Sequence, residues 1–333
     1  MQLPPSLREA IDRELDGVSL RDLARASEIL SHRYRAELRD GRLHLSDEPA
    51  ARAYLTTRLP ATFAAITAAL RAVVEARPDF APRTALDAGA GPGTATWAAA
   101  QCWDSLRDSL LIEASPHIRA IGERLLRPLA LDRAAWLPFR LDGDLGHLPR
   151  HDLVLIAYVL DELPPAARQP LIADLWQLAG DALVIVEPGT PQGWRRILEA
   201  RDLLISAGAH LLAPCPHGRA CPLAAPDWCH FSARVARSRL HREAKGGTVP
   251  WEDEKFIYLA ASRSPGKQSG ARIIAPPRVS RAAIGLKVCQ PDGHQAECSF
   301  ARRDDSFKIA RRLDWGDTLQ PDGIAPRPTA PHR

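Results

Sequence analysis

A glycine-rich run, Leu86-Asp87-Ala88-Gly89-Ala90-Gly91-Pro92-Gly93-Thr94, narrows the folds open to this chain more than any other stretch in it. The apolar residues before it predict a strand over 84–88, and the residues after it a helix. Glycine has no Cβ, so such a loop turns sharply and lets the backbone approach a ligand where the helix begins. Strand, tight loop and helix, repeated along a chain, make a parallel sheet with crossover helices. Further strands are predicted at 109–113, 136–141, 153–159 and 182–187 and, after a long interruption, at 256–261. The fold class is therefore α/β with a Rossmann-like sheet.

A glycine loop by itself also serves dinucleotides. Two features point to S-adenosylmethionine instead. Asp87, just before the glycines, can accept a hydrogen bond on the methionine side of that cofactor, where its charge would repel a pyrophosphate. Glu113, closing the next strand, is placed to accept from both ribose hydroxyls, and Asp144 from the adenine amino group, with Asp142 as the alternative. The expected cofactor contacts are thus Asp87, Gly89, Gly91, Gly93, Glu113 and Asp144. A nucleotide-binding sheet of another class, keeping only its glycines, is the competing reading. Over residues 81–205 the order of helical cap, glycine loop, acidic strand end and apolar fourth strand resembles the class I methyltransferases.

Residues 1–80 read as an N-terminal helical region, in which Leu59, Phe63, Ile66, Leu70 and Val73 recur at the spacing of one buried helical face. The methyltransferase-like unit covers 81–264, with an interruption at about 207–251 that holds three Cys and several Pro and reads as an inserted metal-binding site without sheet elements. A polar linker, 262–270, leads to a small C-terminal β module at 271–319, expected as a meander of 282–289, 295–301 and 307–311 around the turn Pro291-Asp292-Gly293. The Pro-rich residues 320–333 read as a disordered tail.

With 45% hydrophobic and 25% charged residues, the 333-residue chain has the composition of a soluble globular protein. Its longest unbroken apolar run, 153–160, falls short of the roughly 20 residues of a bilayer span. Glu9, Asp12, Glu14 and Asp16 stand where a signal peptide needs an apolar core and a presequence avoids acids. The expectation is a cytoplasmic monomer. Net charge is a mild +4, and before Lys245 all the Lys-plus-Arg charge is Arg, which suits an RNA partner and a plain solvated surface equally.

No catalytic set is legible. A methyltransferase acting on an exocyclic amine carries an Asn/Asp-Pro-Pro-Tyr/Phe turn after the fourth strand, whereas here that strand runs into Tyr158-Val159-Leu160-Asp161-Glu162-Leu163-Pro164. A cytosine-C5 enzyme needs a nucleophilic Cys after the fourth or fifth strand, but Cys102 lies on the first crossover helix and Cys215 well past Glu187-Pro188-Gly189. Asp161 and Glu162 suit a general base and a helix cap equally. Tyr158 fits an adenine stack or the core, and Arg195 with Arg196 a phosphate or the solvated side of a helix.

Inside the interruption the chain reads Cys215-Pro216-His217-Gly218-Arg219-Ala220-Cys221, then Asp227-Trp228-Cys229-His230-Phe231; a fourth Cys, Cys289, follows in the C-terminal module. In a chain without a secretion signal, clustered Cys point to metal before disulfides. The closely spaced Cys pair of a zinc knuckle is missing, and four thiolates suit an iron–sulfur cluster as well as zinc. Cys102 and Cys298 read as buried free thiols, and His217 and His230 as hydrogen-bonding neighbours of the site.

From Tyr54 to Asp317 the chain resembles the Rsm22 family of methyltransferase-like proteins. The likeness rests on Tyr54-Leu55, Arg58-Leu59-Pro60-Ala61-Thr62-Phe63, the Asp87 loop, Val159 to Leu163, Glu187-Pro188-Gly189, the Cys215 box, Glu254-Lys255-Phe256 and Trp315-Gly316-Asp317. The resemblance implies that Cys215, Cys221, Cys229 and Cys289 hold a [4Fe–4S] cluster, and that the partner is the small ribosomal subunit with its rRNA. It implies an assembly or translation factor, with rRNA methylation left open. The alternative is a methyltransferase for a small molecule or protein, unrelated to ribosomes.

Overall fold

A computed structural model of the chain describes residues 1–35, 44–141, 143–267, 270–320 and 327–328. Asp142 and most of the expected tail lie outside these residues. Four helices come first: α1 (Pro5–Glu14), α2 (Leu20–Arg35), α3 (Glu48–Thr57) and α4 (Leu59–Ala76). The face of Leu59, Phe63, Ile66, Leu70 and Val73 falls on α4, which is parted from α3 at Arg58 because Pro60 has no N–H to donate and its ring would strike the carbonyl of residue 56 were α3 to continue. α4 is an apolar 18-residue helix, long enough to cross a bilayer by length alone, but it is buried against the sheet and the following helix.

The sheet begins with β1 (Thr84–Ala88), α5 (Thr94–Cys102), β2 (Asp108–Ile112), α6 (Pro116–Leu126) and β3 (Arg133–Leu137). It continues with β4 (His151–Ala157), α7 (Pro165–Leu178), β5 (Ala179–Pro188) and α8 (Pro191–Ser206). Then come β6 (His210–Ala213), β7 (Phe231–Ala236), α9 (Arg239–Lys245) and β8 (Trp251–Ser262). Strand order is β3-β2-β1-β4-β5-β8-β6, parallel from β3 to β5 and antiparallel at β8. The order reverses direction between β1 and β4, where open α/β sheets bind ligands beyond the strands' carboxyl ends. β3 starts and ends earlier than its sequence suggested, since Pro138 cannot extend the ladder.

The interruption is not free of sheet structure, contrary to the expectation. β6 and β7 pair along the same edge of β8, one at each end of that long strand, and the Cys loop leaves the sheet from β6 and returns to it at β7. A second sheet forms the C-terminal module: β9 (Ala271–Ile273), β10 (Arg278–Val279), β11 (Ala283–Cys289), β12 (Gln295–Ala301), β13 (Thr318–Leu319) and β14 (Arg327–Pro328). Ile273, Ile284, Leu286, Val288 and Phe300 make its core, with Cys298 among them. The expected strand at 307–311 is instead a short helix, α10 (Phe307–Ala310), entered through the turn in which Asp304 accepts from the Ala301 amide.

Candidate functional site

Two cavities hold the residues that the sequence singles out. The first, of about 270 Å³, opens at the carboxyl ends of β1, β2 and β4 under the N-terminal helices, and its size is at the lower end for small-molecule sites. Gly89, Gly91 and Gly93 all have positive φ, at 71°, 54° and 81°. A Cβ on Gly89 would stand 2.5 Å from the Val159 side chain, whereas one on Gly91 would meet nothing within 4 Å and would occupy the cavity that Gly91 lines. Gly93 does not face the cavity: it caps α5 and lies against Leu126. Glu113, just past β2, lines the cavity and accepts from the Gly91 amide at 2.9 Å and the Ser115 amide at 2.7 Å. Asp144 is exposed, accepts from the Gly146 amide and stands outside the lining.

Asp87 is 1% exposed, and its Oδ2 accepts from both the amide and the hydroxyl of Thr96. This pair fixes the first turn of α5 to the end of β1. Burial lifts the Asp87 carboxyl to about 6; the Thr96 bonds pull it down, and the Glu113 charge pushes it up. A carboxyl raised above its unfolded value contributes stability below about pH 4 and loses it as pH rises through about 6. Asp87→Asn keeps an acceptor for Thr96 without the charge. The ligand-free variant is therefore expected to exceed the wild type in urea stability by about 2–3 kcal/mol near pH 8. The gain should vanish near pH 4, and a gain independent of pH would exclude this account.

Several side chains that the sequence reading did not select complete the cavity. Tyr34 and His44 come from the α2–α3 region, Tyr54 from α3 and Arg58 from the junction before α4. Arg58 lies over the Tyr34 ring, 5.5 Å from its centre, and 3.6 Å from Glu254 on β8. Tyr158 donates to the same Glu254 carboxylate at 3.0 Å. It is the non-glycine residue with positive φ (58°) among the described residues, a strained conformation of the kind that gathers at functional sites. Glu162 lines the cavity 3.9 Å from His44, and burial followed by the charge of Asp161 holds its carboxyl well above the usual range. Glu187 is structural: fully buried, it accepts from Arg196 at 2.6 Å and from the Leu160 amide at 3.1 Å. Arg196 is thus a buried partner and not a solvated charge, while Arg195 is exposed.

The second cavity, of about 30 Å³, lies between α8, the Cys loop, β8 and the C-terminal module. Cys215, Cys221, Cys229 and Cys289 all line it. Burial raises the Cys229 and Cys289 thiols, the latter to about 12, and the other cysteines raise them further. His217 accepts from the Arg219 amide through Nδ1, which leaves Nε2, 3.3 Å from the Cys289 sulfur, as its protonated nitrogen. His230 stacks on Trp228 and meets the edge of Trp315, so the loop leans on the C-terminal module. Among the described residues, no group of three or more His, Cys, Asp or Glu side chains is arranged to hold a metal ion.

Comparison with known proteins places these features in a family. The human mitochondrial ribosome assembly protein METTL17 is 31% identical over 284 residues, covering 80% of this chain and 61% of its own. The Rsm22-cox11 tandem protein 2 of Schizosaccharomyces pombe, also mitochondrial, is 23% identical over 350 residues, covering 86% of this chain and 45% of its own. The chain thus spans roughly half to three-fifths of the length of these relatives. Among solved structures, the magnesium protoporphyrin IX methyltransferase of Synechocystis with bound SAM covers 74% of this chain and 100% of its own at 15% identity and a TM-score of 0.40, a likeness that bears on neither substrate nor mechanism. The profile of the family described as mitochondrial small ribosomal subunit Rsm22 matches residues 48–320, and the chain belongs to the Rsm22 family.

Proposed function

We propose that the chain is a methyltransferase-like factor of the small ribosomal subunit that binds S-adenosylmethionine over its glycine loop and carries a [4Fe–4S] cluster in its Cys loop. The observation that carries this reading is the meeting of the four cysteines in one cavity, within the same family-matched span as the glycine-loop cavity. The ribosomal part draws on the relatives, which are named for ribosome assembly and for the small subunit.

The residue types that line the two cavities are those the two groups require. Gly91 leaves open the space a Cβ would fill, and Asp87 and Glu113 line the same cavity, where the Glu113 carboxylate is the acceptor proposed for the ribose hydroxyls. Bound there, S-adenosylmethionine supplies an activated methyl group. Asp144 belongs to the proposed contact set as the adenine neighbour, although its carboxylate faces solvent here. In the second cavity four cysteine sulfurs line one space, and four thiolates are the donor set of a [4Fe–4S] cluster. Co-sedimentation with the small subunit, followed by an rRNA methylation map of a deletion strain, tests the reading. Absence from the subunit would favour a small-molecule or protein acceptor, and a lost methyl group would make the chain an rRNA methyltransferase.

RNA contact is assigned to the C-terminal module. Arg302, Arg303, Lys308, Arg311 and Arg312 are exposed around α10, and among the described residues none forms an ion pair. Unpaired Arg suits phosphate, and Trp315 nearby in the chain offers a stacking ring. Reversal of Arg302, Arg303, Arg311 and Arg312 to Glu is expected to abolish rRNA crosslinks and to flatten the salt dependence by about one unit of slope per lost contact. Undiminished crosslinks would remove this surface from the account.

A further inference from the structure

Two guanidinium groups are buried against the four-cysteine cavity, and among the described residues neither is paired with a buried carboxylate. Arg201, on α8, is 1% exposed and Arg272, on β9, 6%, and both line the cavity. Arg201 donates to the carbonyls of His217 and Arg219. Among the described residues its carboxylate neighbour is Asp202, at 3.5 Å and 76% exposed. Arg272 donates to the carbonyls of Pro214 at 3.1 Å and Gly316 at 2.6 Å, and among the described residues it has no ion-pair partner.

Carbonyl dipoles solvate a cation but do not neutralise it, and a desolvated charge without a counter-ion costs several kcal/mol. The groups within the cavity able to supply that counter-charge are the cysteine sulfurs. Four thiolates around an oxidised [4Fe–4S] core carry a net charge of about −2, which two guanidiniums cancel.

We propose that Arg201 and Arg272 are the built-in counter-ions of the metal–thiolate centre, holding the oxidised cluster neutral in its buried site and raising its one-electron reduction potential. The inference rests on the cluster reading above. It also ties charge to assembly: Arg201 belongs to the methyltransferase-like core and Arg272 to the C-terminal module, so docking of the module delivers half of the neutralising charge. A module that lifts away would leave the centre with an excess negative charge.

The experiment is an anaerobic spectroelectrochemical titration of the full chain with dithionite, together with iron and sulfide analysis. Arg201→Met and Arg272→Met preserve length and remove charge. Each is expected to shift the potential to more negative values, and the double variant further, while Arg201→Lys and Arg272→Lys stay close to the wild type. Full iron and sulfide with an unmoved potential in both Met variants would overturn the inference and reduce the pair to carbonyl anchors. Should a Met variant fail to accumulate, the Lys variants decide: retained potential supports the charge role, and a potential displaced as far as in the surviving Met variant overturns it. Wild-type protein without iron and sulfide would instead overturn the cluster reading itself, a failure visible before any substitution is made.

Discussion

Protein purified without oxygen is expected to be brown, to contain iron and acid-labile sulfide together, and to lose both in Cys215→Ser, Cys221→Ser, Cys229→Ser or Cys289→Ser. The reason lies in the loop that carries three of the four. Between β6 and β7 the chain runs through Pro214, Pro216, Pro222 and Pro226 with few large apolar side chains, so packing alone does little to hold it. The fourth sulfur comes from β11, about sixty residues beyond Cys229, and a bond across that span removes closure entropy that docking must otherwise overcome. Ligation is therefore folding free energy for the loop and the C-terminal module together. Loss of the cluster should expose the 214–230 loop to proteolysis and lower the unfolding midpoint of the module, with a smaller effect on β1 to β5. Stoichiometric zinc without sulfide would sink the cluster, and full iron occupancy in Cys289→Ser would show that the fourth ligand is another residue.

What was legible in the sequence, and what was not, divides along local against tertiary information. β1 falls where its apolar run predicts it, because strand, glycine turn and helix are consecutive and each states its own geometry. β7 was missed although Phe231, Ala233 and Val235 alternate as buried residues. Its signal stands directly after the Cys box, and the composition of that box suggested a loop throughout. The helix at Phe307–Ala310 was misread because two apolar residues in so short a segment fit either period. In the first cavity, Asp87, Gly89 and Gly91 follow from sequence because they belong to one strand–turn–helix, and Glu113 because it directly follows the next strand. Tyr34, Tyr54 and Arg58 do not, since they reach the cavity only through the packing of the helical cap over the sheet. Arg201 and Arg272 were equally silent: an arginine buried beside sulfurs and one in solvent look the same in a sequence.

Calorimetric titration with S-adenosylmethionine is expected to show no binding in Gly91→Trp and binding weakened about 10- to 100-fold in Glu113→Ala, the equivalent of one or two charge-assisted hydrogen bonds. Gly91 is the position where fold and binding come apart most cleanly. Its φ of 54° strains a side-chain-bearing residue by roughly 1–2 kcal/mol, a loss the protein should survive. Nothing stands within 4 Å of its Cβ direction, so the indole is directed into the cavity and not into the core. Gly89→Ala is the contrasting variant, because its methyl would strike Val159 at 2.5 Å and displace the segment after β4. That change should lower stability and binding together. Glu113→Ala acts by a different route: it removes the carboxylate that would meet the ribose and also the acceptor that holds the Gly91 and Ser115 amides. Glu113→Gln separates the two effects, since it retains an oxygen for one amide but loses the charge, and its affinity should fall between those of wild type and Glu113→Ala. Unchanged affinity in both Gly91→Trp and Glu113→Ala, with folding intact by circular dichroism, would place the cofactor elsewhere on the chain.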